Sequence, residues 1–333
     1  MACGGVKVNA GVSAGMDKMA SGCTIDPEFQ ALLAHWQAPD WDDAQLAQAR
    51  LHPAHAPHPA WPSPRHAILG SEQFIHGPEG APMVRLLIHQ PLGGAGTRGH
   101  PVILHLHGGG FVLGGPDMLA ARNDLLADAL GAVVVSVDYR LAPHHIFPAA
   151  LDDIYEALAW LVDQAEALAI DPSRIAVLGE NAGGTLAAAL ALRVRARGEY
   201  LLAGQFLIAP LLNPLLQVES GGLHVWTGQR NHYAWQAYLG GQMVPPWPAE
   251  AVPFAAEDLS GLAPFYLAAG GCDILAADVA AFAARLKAAG VAAALHIYPG
   301  GVHGFEALLP HARLAQAAHQ ALVTGLKSVF SDS

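Results

Sequence analysis

The chain has 333 residues, of which 53% are hydrophobic and only 14% charged, a composition that suits one large α/β domain or two small ones and excludes a disordered or fibrous protein. Its formal net charge of −11 disfavours nucleic acid and anionic membrane surfaces as partners. The sequence has no charge-free apolar stretch of about 18 residues, so no membrane span is expected.

Residues 1–22 are rich in Gly, Ala and Ser and lack a continuous apolar core, which reads as a disordered leader and not as a signal peptide. Cys3, Cys23 and Cys272 make no disulfide framework, so a reduced, cytoplasmic setting is expected. Helical spacing runs through 26–50 at Phe29, Leu32, Leu33, Trp36 and Leu46, with a break at Pro39-Asp40-Trp41. The stretch 52–64 is Pro-rich and reads as an extended linker. Its His52, His55 and His58 come without the Cys or carboxylate pattern of a metal site. Strands at 73–76 and 83–89 are joined by Gly77-Pro78-Glu79-Gly80, a hairpin turn.

From residue 102 the rhythm becomes alternating. Strands are expected at 102–107, 132–138, 175–179, 205–208, 265–269 and 294–298, with helices at 118–130, 149–165, 182–197, 277–289 and 309–330. Such alternation implies a mostly parallel, doubly wound sheet. The interruption at 211–263 carries Trp226, Tyr233, Trp235, Tyr238 and Trp247 among Gly and Pro, and reads as a lid over a pocket at the strand ends. Phe111, Trp226, Tyr233 and Trp235 are the candidate pocket residues.

Gly179-Glu180-Asn181-Ala182-Gly183-Gly184 has the spacing of a nucleophile elbow, the sharp strand-to-helix turn written Gly-x-Ser-x-Gly, but with asparagine at its centre. Small flanking residues suit a turn whose backbones approach closely. His107-Gly108-Gly109-Gly110-Phe111 follows a strand directly, and the amides of Gly108, Gly109 and Ala182 are the expected oxyanion donors. Asp273 follows the 265–269 strand and His303 the 294–298 strand, giving the chain order elbow, acid, histidine. In that arrangement the carboxylate orients one imidazole nitrogen and the other faces position 181. Asp278 is the rival acid, but it falls inside the following helix. Glu180 either tunes the histidine or bonds loop backbone, and Asp138 and Arg140 read as structural. Cys272, Ser136 and Ser173 offer no substitute nucleophile, and Thr185 stands where a phosphate-binding loop needs Lys.

Taken together, the segments 107–111, 137–143, 147–153, 179–184, 258–262 and 298–305 resemble the bacterial hormone-sensitive lipase-like (family IV) esterases, over about residues 70–330. The resemblance implies an α/β-hydrolase fold: a mostly parallel eight-stranded sheet flanked by helices, with a helical cap. By that reading 66–210 and 264–333 form the core, while 23–65 and 211–263 form the cap. It further implies small acyl esters as substrates or ligands and no metal or organic cofactor; homodimers are common in the family. The family carries Ser where this chain has Asn181, and loss of a triad nucleophile typically costs on the order of 10⁶ in kcat. Three readings follow: an esterase scaffold whose serine has been lost or removed, a non-catalytic ligand-binding relative like the gibberellin receptor, or deamidation of Asn181 to a carboxylate nucleophile as in haloalkane dehalogenases, a step that the following Ala182 slows.

Overall fold

A computed structural model describes residues 23–34, 36, 41–51, 61–94, 96–216 and 225–331. The expected leader at 1–22 and the histidines of the 52–60 stretch lie outside these residues. Among these residues, eight strands form one sheet: β1 (Ile68–Ile75), β2 (Val84–Pro91), β3 (His100–Leu106), β4 (Val133–Asp138), β5 (Ile170–Glu180), β6 (Gly204–Ile208), β7 (Phe265–Gly270) and β8 (Ala293–Tyr298). Their spatial order is β1-β2-β4-β3-β5-β6-β7-β8. β2 runs antiparallel to β1 and β4, and every other pairing is parallel. The fold is therefore the mostly parallel α/β-hydrolase sheet expected.

The central strands are apolar because both of their faces are covered; β3, β6 and β7 are buried along their whole length. One face packs against α4 (Ala149–Asp163), α5 (Ala182–Arg197) and α7 (Ala276–Ala288) through residues such as Leu151, Leu186 and Phe282. The other packs against α3 (Ala120–Leu130) and α8 (Arg313–Ser331) through Leu126, Leu322 and Leu326. β1 starts five positions before the sequence-based expectation of 73, and it is exposed over most of its length, so no burial alternation marks its start. β5 likewise begins at Ile170, through a polar Asp171-Pro172-Ser173-Arg174 entry that hydrophobic patterning passes over.

Two peripheral regions meet above the parallel strand ends. α1 (Pro27–Leu33) opens on an Asp26 cap whose side chain accepts the Glu28 amide at 2.9 Å. α2 (Asp43–Leu51) and α6 (Gly228–Tyr238) are joined by side chains: Gln229 bonds both backbone groups of Trp41, and the Tyr233 hydroxyl donates to Asp43 at 2.7 Å. From α2, Arg50 donates to the carbonyls of Val112 and Ala142. Residues 41–50 are thereby tied to the glycine-rich turn.

One expectation is corrected here. Cys23 and Cys272 are disulfide-bonded, with Cα atoms 5.5 Å apart and 249 residues between them in sequence. The bridge joins the segment before α1 to the loop after β7, and the neighbouring Asp26 amide donates to Gly300 at 3.0 Å. A reduced setting therefore no longer follows from the cysteines. Among the described residues, no helix is long and apolar enough to cross a membrane.

Candidate active site

The turn from β5 to α5 is pinned by backbone bonds: the Asn181 amide donates to Ile208, and its carbonyl accepts from Gly184 and Leu211. Asn181 adopts φ 53°, ψ −115°, a left-handed conformation that costs a non-glycine residue about 1–3 kcal/mol. The surroundings enforce it. A Cβ at Gly183 would sit 1.9 Å from the Leu106 carbonyl oxygen, and one at Gly179 would sit 2.1 Å from the Gly183 oxygen. Only glycine lets strand and helix approach this closely.

The tight turn aims the Asn181 side chain between two partners. Its Oδ1 accepts the Gly110 N–H at 2.9 Å, and its Nδ2 donates to His303 Nε2 at 3.0 Å. His303 Nδ1 in turn donates to Asp273 Oδ2 at 2.7 Å, and the other carboxylate oxygen of Asp273 accepts the Leu275 amide at 3.0 Å. This chain of bonds assigns the tautomer: the proton sits on Nδ1, and Nε2 presents a lone pair to position 181. Trp226 stacks on the imidazole with ring centroids 5.3 Å apart.

Asn181, Asp273 and His303 thus lie together. Gly108 and Gly109 border the same cavity as Asn181, but the amide that reaches its side chain belongs to Gly110, which sequence reasoning passed over in favour of its two predecessors. Gly110 is the third member of the glycine run, and the left-handed φ values of Gly109 (117°) and Gly110 (62°) swing its N–H inward. Ala182 is fully buried at the start of α5, whose positive N-terminal end faces the site. Asp278 lies on α7, away from the imidazole. Burial raises its carboxyl to about 6 despite a bond from Asn213.

The cavity has a volume of about 360 Å³ and an aromatic rim of Trp41, Trp61 and Trp226. Of the four expected pocket residues, Trp226 borders it. Phe111 and Trp235 are instead buried core: Phe111 stacks on Tyr238 at 4.0 Å, and Trp235 lies 5.2 Å from Phe111. Tyr233 faces a separate depression with Asp42 and Asp43. Enrichment of aromatics in an insertion does not tell which of them face a pocket and which a core.

Beneath the elbow lies a polar network that the motif alone does not reveal. Glu180 accepts from Arg122 and from His105 Nε2 at 2.9 Å. His105 Nδ1 meets Ser136 Oγ at 2.7 Å, and Asn123 donates to that same hydroxyl at 2.9 Å. Burial alone would raise the Glu180 carboxyl, but the charges of Arg122 and His105 outweigh it and hold the group at about 2. Glu180 thus binds side chains below the turn, where loop backbone or His303 had been the expectation. Glu306, three residues after His303, also borders the cavity, and burial pushes its carboxyl up to about 7. His107 is a buried neutral ring, lowered to about 4 by burial and stacked on Tyr139 at 4.2 Å. Among the described residues, no group of three or more His, Cys, Asp or Glu is placed to hold a metal ion.

An elbow, an imidazole and a carboxylate on the C-terminal edge of this sheet define the alpha/beta hydrolase class. A family model described as alpha/beta hydrolase fold matches residues 103–307, and the chain belongs to that family. It is 32% identical to the carboxylic ester hydrolase LipN of Mycobacterium tuberculosis, over 96% of this chain and 87% of LipN. It is 37% identical to the carboxylesterase NlhH of the same species, over 69% of this chain and 73% of NlhH. Among solved structures, the bacterial heroin esterase superposes with a TM-score of 0.83 at 34% identity, covering 92% of this chain and 98% of that one.

Proposed function

We propose that the protein is a carboxylic ester hydrolase scaffold for short acyl esters whose nucleophile position holds Asn181, so that ester turnover is weak or absent. The observation that carries this reading is the unbroken line of hydrogen bonds from Gly110 through Asn181 and His303 to Asp273. On this reading, residue 181 is surrounded by the groups a serine hydrolase uses and lacks only the hydroxyl. A carboxamide nitrogen is a poor nucleophile, since its lone pair is delocalised into the carbonyl and a neutral imidazole does not deprotonate it. In this reading His303 is the general base, Asp273 its orienter, and the amides of Gly108, Gly109, Gly110 and Ala182 are the oxyanion donors. Residues 23–65 and 211–263 form the cap.

Turnover of short-chain p-nitrophenyl esters by the chain and by Asn181→Ser tests the proposal. Because a missing nucleophile costs on the order of 10⁶, the serine variant should gain several orders of magnitude. A fluorophosphonate probe should label residue 181 in that variant alone. Strong hydrolysis by the unaltered chain would mean that the nucleophile lies elsewhere. A second reading, a binding protein without turnover, draws on the aromatic rim and on the fact that both ends of the Asn181 carboxamide already have partners. Failure of Asn181→Ser to gain activity, together with a ligand-induced rise in Tm, would favour it.

A further inference from the structure

The carboxamide of Asn181 is held as this site would hold a scissile amide. Its oxygen rests on a fixed N–H donor, Gly110 at 2.9 Å. Its nitrogen, the atom that would depart, lies 3.0 Å from His303 Nε2. Asp273 holds the imidazole from behind at 2.7 Å. The residue also borders the 360 Å³ cavity, the side from which the proposal brings water to Cγ. A donor aimed at the oxygen where negative charge develops, and a base beside the leaving group, are the two elements that amide hydrolysis requires.

We propose that Asn181 is a slow substrate of its own site and is converted there to aspartate. A water from the cavity replaces Nδ2 as the partner of His303 Nε2 and adds to Cγ as its proton passes to that nitrogen. The electron pair of the carbonyl moves onto Oδ1, which the Gly110 amide stabilises. The imidazolium then gives its proton to Nδ2, the Cγ–N bond breaks with its electron pair on nitrogen, and the carbonyl re-forms. Ammonia leaves, and the new acid loses its proton. The sum is carboxamide plus water giving carboxylate plus ammonium, with no change of oxidation state. The product places a carboxylate at the elbow beside His303, the type of nucleophile that forms an ester with an electrophilic alkyl carbon. This route differs from ordinary deamidation, in which the backbone nitrogen of the following residue attacks Cγ and the cyclic imide opens to a mixture of aspartate and isoaspartate. That route has no use for His303.

The test is incubation of the full chain in oxygen-labelled water at neutral pH, followed by peptide mass spectrometry at residue 181. The expected result is one labelled oxygen in the side chain, aspartate without isoaspartate, and a rate about 10²-fold or more above that of His303→Ala, the usual contribution of a positioned acid–base group. The same chain unfolded in urea supplies a second reference should His303→Ala fold poorly, and it should lose the site-specific conversion. No conversion in the folded chain, an equal rate in His303→Ala or in urea, or isoaspartate as the main product would each overturn the proposal. A chain recovered already converted supports it only if His303→Ala is recovered as the amide; equal conversion in both overturns it. Neither reading depends on ester turnover, so failure here leaves the Asn181→Ser experiment intact.

Discussion

The strand-end turns and the described part of the 211–263 insertion both border the cavity, yet different physics decides their residues. At the strand ends backbone geometry dictates identity: Gly183 faces the Leu106 carbonyl with no room for a methyl group, and Asn181 is forced to φ 53°. In the insertion the side chains decide, and neighbours in sequence take opposite roles. Trp226 borders the cavity and stacks on His303, whereas Trp235 is fully buried against Phe111 and Tyr238. Glycines with no room for a Cβ tolerate no exchange, while packing-limited positions lose stability in proportion to the volume removed. Function thus sits on a rigid turn and is shaped by a replaceable wall.

The largest effect should come from Gly183→Ala. Its Cβ would collide with backbone, which cannot swing aside, so the strand and helix must separate. The variant should fail to fold or lose more than about 4 kcal/mol, beyond the range of ordinary substitutions. Denaturant unfolding checks this, and near-normal stability would show that the elbow is looser than its contacts imply. Glu180→Ala comes next. It leaves Arg122 and His105 without their shared acceptor, and breaking a buried ion pair typically costs about 3–5 kcal/mol. A milder loss in Glu180→Gln, which keeps an acceptor oxygen, would separate the lost charge from the lost hydrogen bond.

The two tryptophans test the comparison directly. Trp235→Ala should cost about 3–5 kcal/mol, as truncation of a core aromatic does, and leave the chemistry of residue 181 unaltered. Trp226→Ala should cost less, about 1–2 kcal/mol, because one of its faces meets the cavity. In the Asn181→Ser background it should change KM and acyl-chain preference. If the two variants showed the same pattern, the division between wall and core would fail.

Sequence carried the strand-end features well because each is short-range. The Gly-x-Asn-x-Gly spacing, the glycine run after β3, and the acid and histidine after β7 and β8 are each confined to a few residues, and the alternating pattern orders them along one sheet edge. What stayed hidden depends on direction in space. Which of three consecutive amides reaches residue 181 is set by the φ values of Gly109 and Gly110, and nothing in a Gly-Gly-Gly triplet reveals them. Pairing of Cys23 with Cys272 spans 249 residues and requires the folded backbone to bring them together. The Glu180–Arg122–His105 network joins β5, α3 and β3, and neither periodicity nor motif links those positions.

The smallest predicted effect concerns pH, and it separates two buried carboxyls, Asp278 and Glu306, from the network under the elbow. Burial raises Asp278 to about 6 and Glu306 to about 7, so the folded state holds these protons more tightly than the unfolded chain. The stability they contribute is complete below the ordinary carboxylate values and is lost as pH rises through about 6 to 7. Glu180, held at about 2, the buried ring of His107 and the half-buried ring of His319, the two rings each lowered to about 4, act in the opposite sense: their contribution is present near neutrality and is lost on acidification. The two sets together place the stability maximum in mildly acidic solution. Combining Asp278→Asn with Glu306→Gln removes the first set while keeping neutral groups of similar shape. That double variant should lose less stability than the parent chain between about pH 5 and pH 8, by on the order of 1–2 kcal/mol, because a one-unit shift corresponds to about 1.4 kcal/mol and Glu306 borders solvent-filled space. Thermal unfolding across that range reads the difference. Parallel curves for the two proteins would mean that neither carboxyl keeps its proton in the folded state.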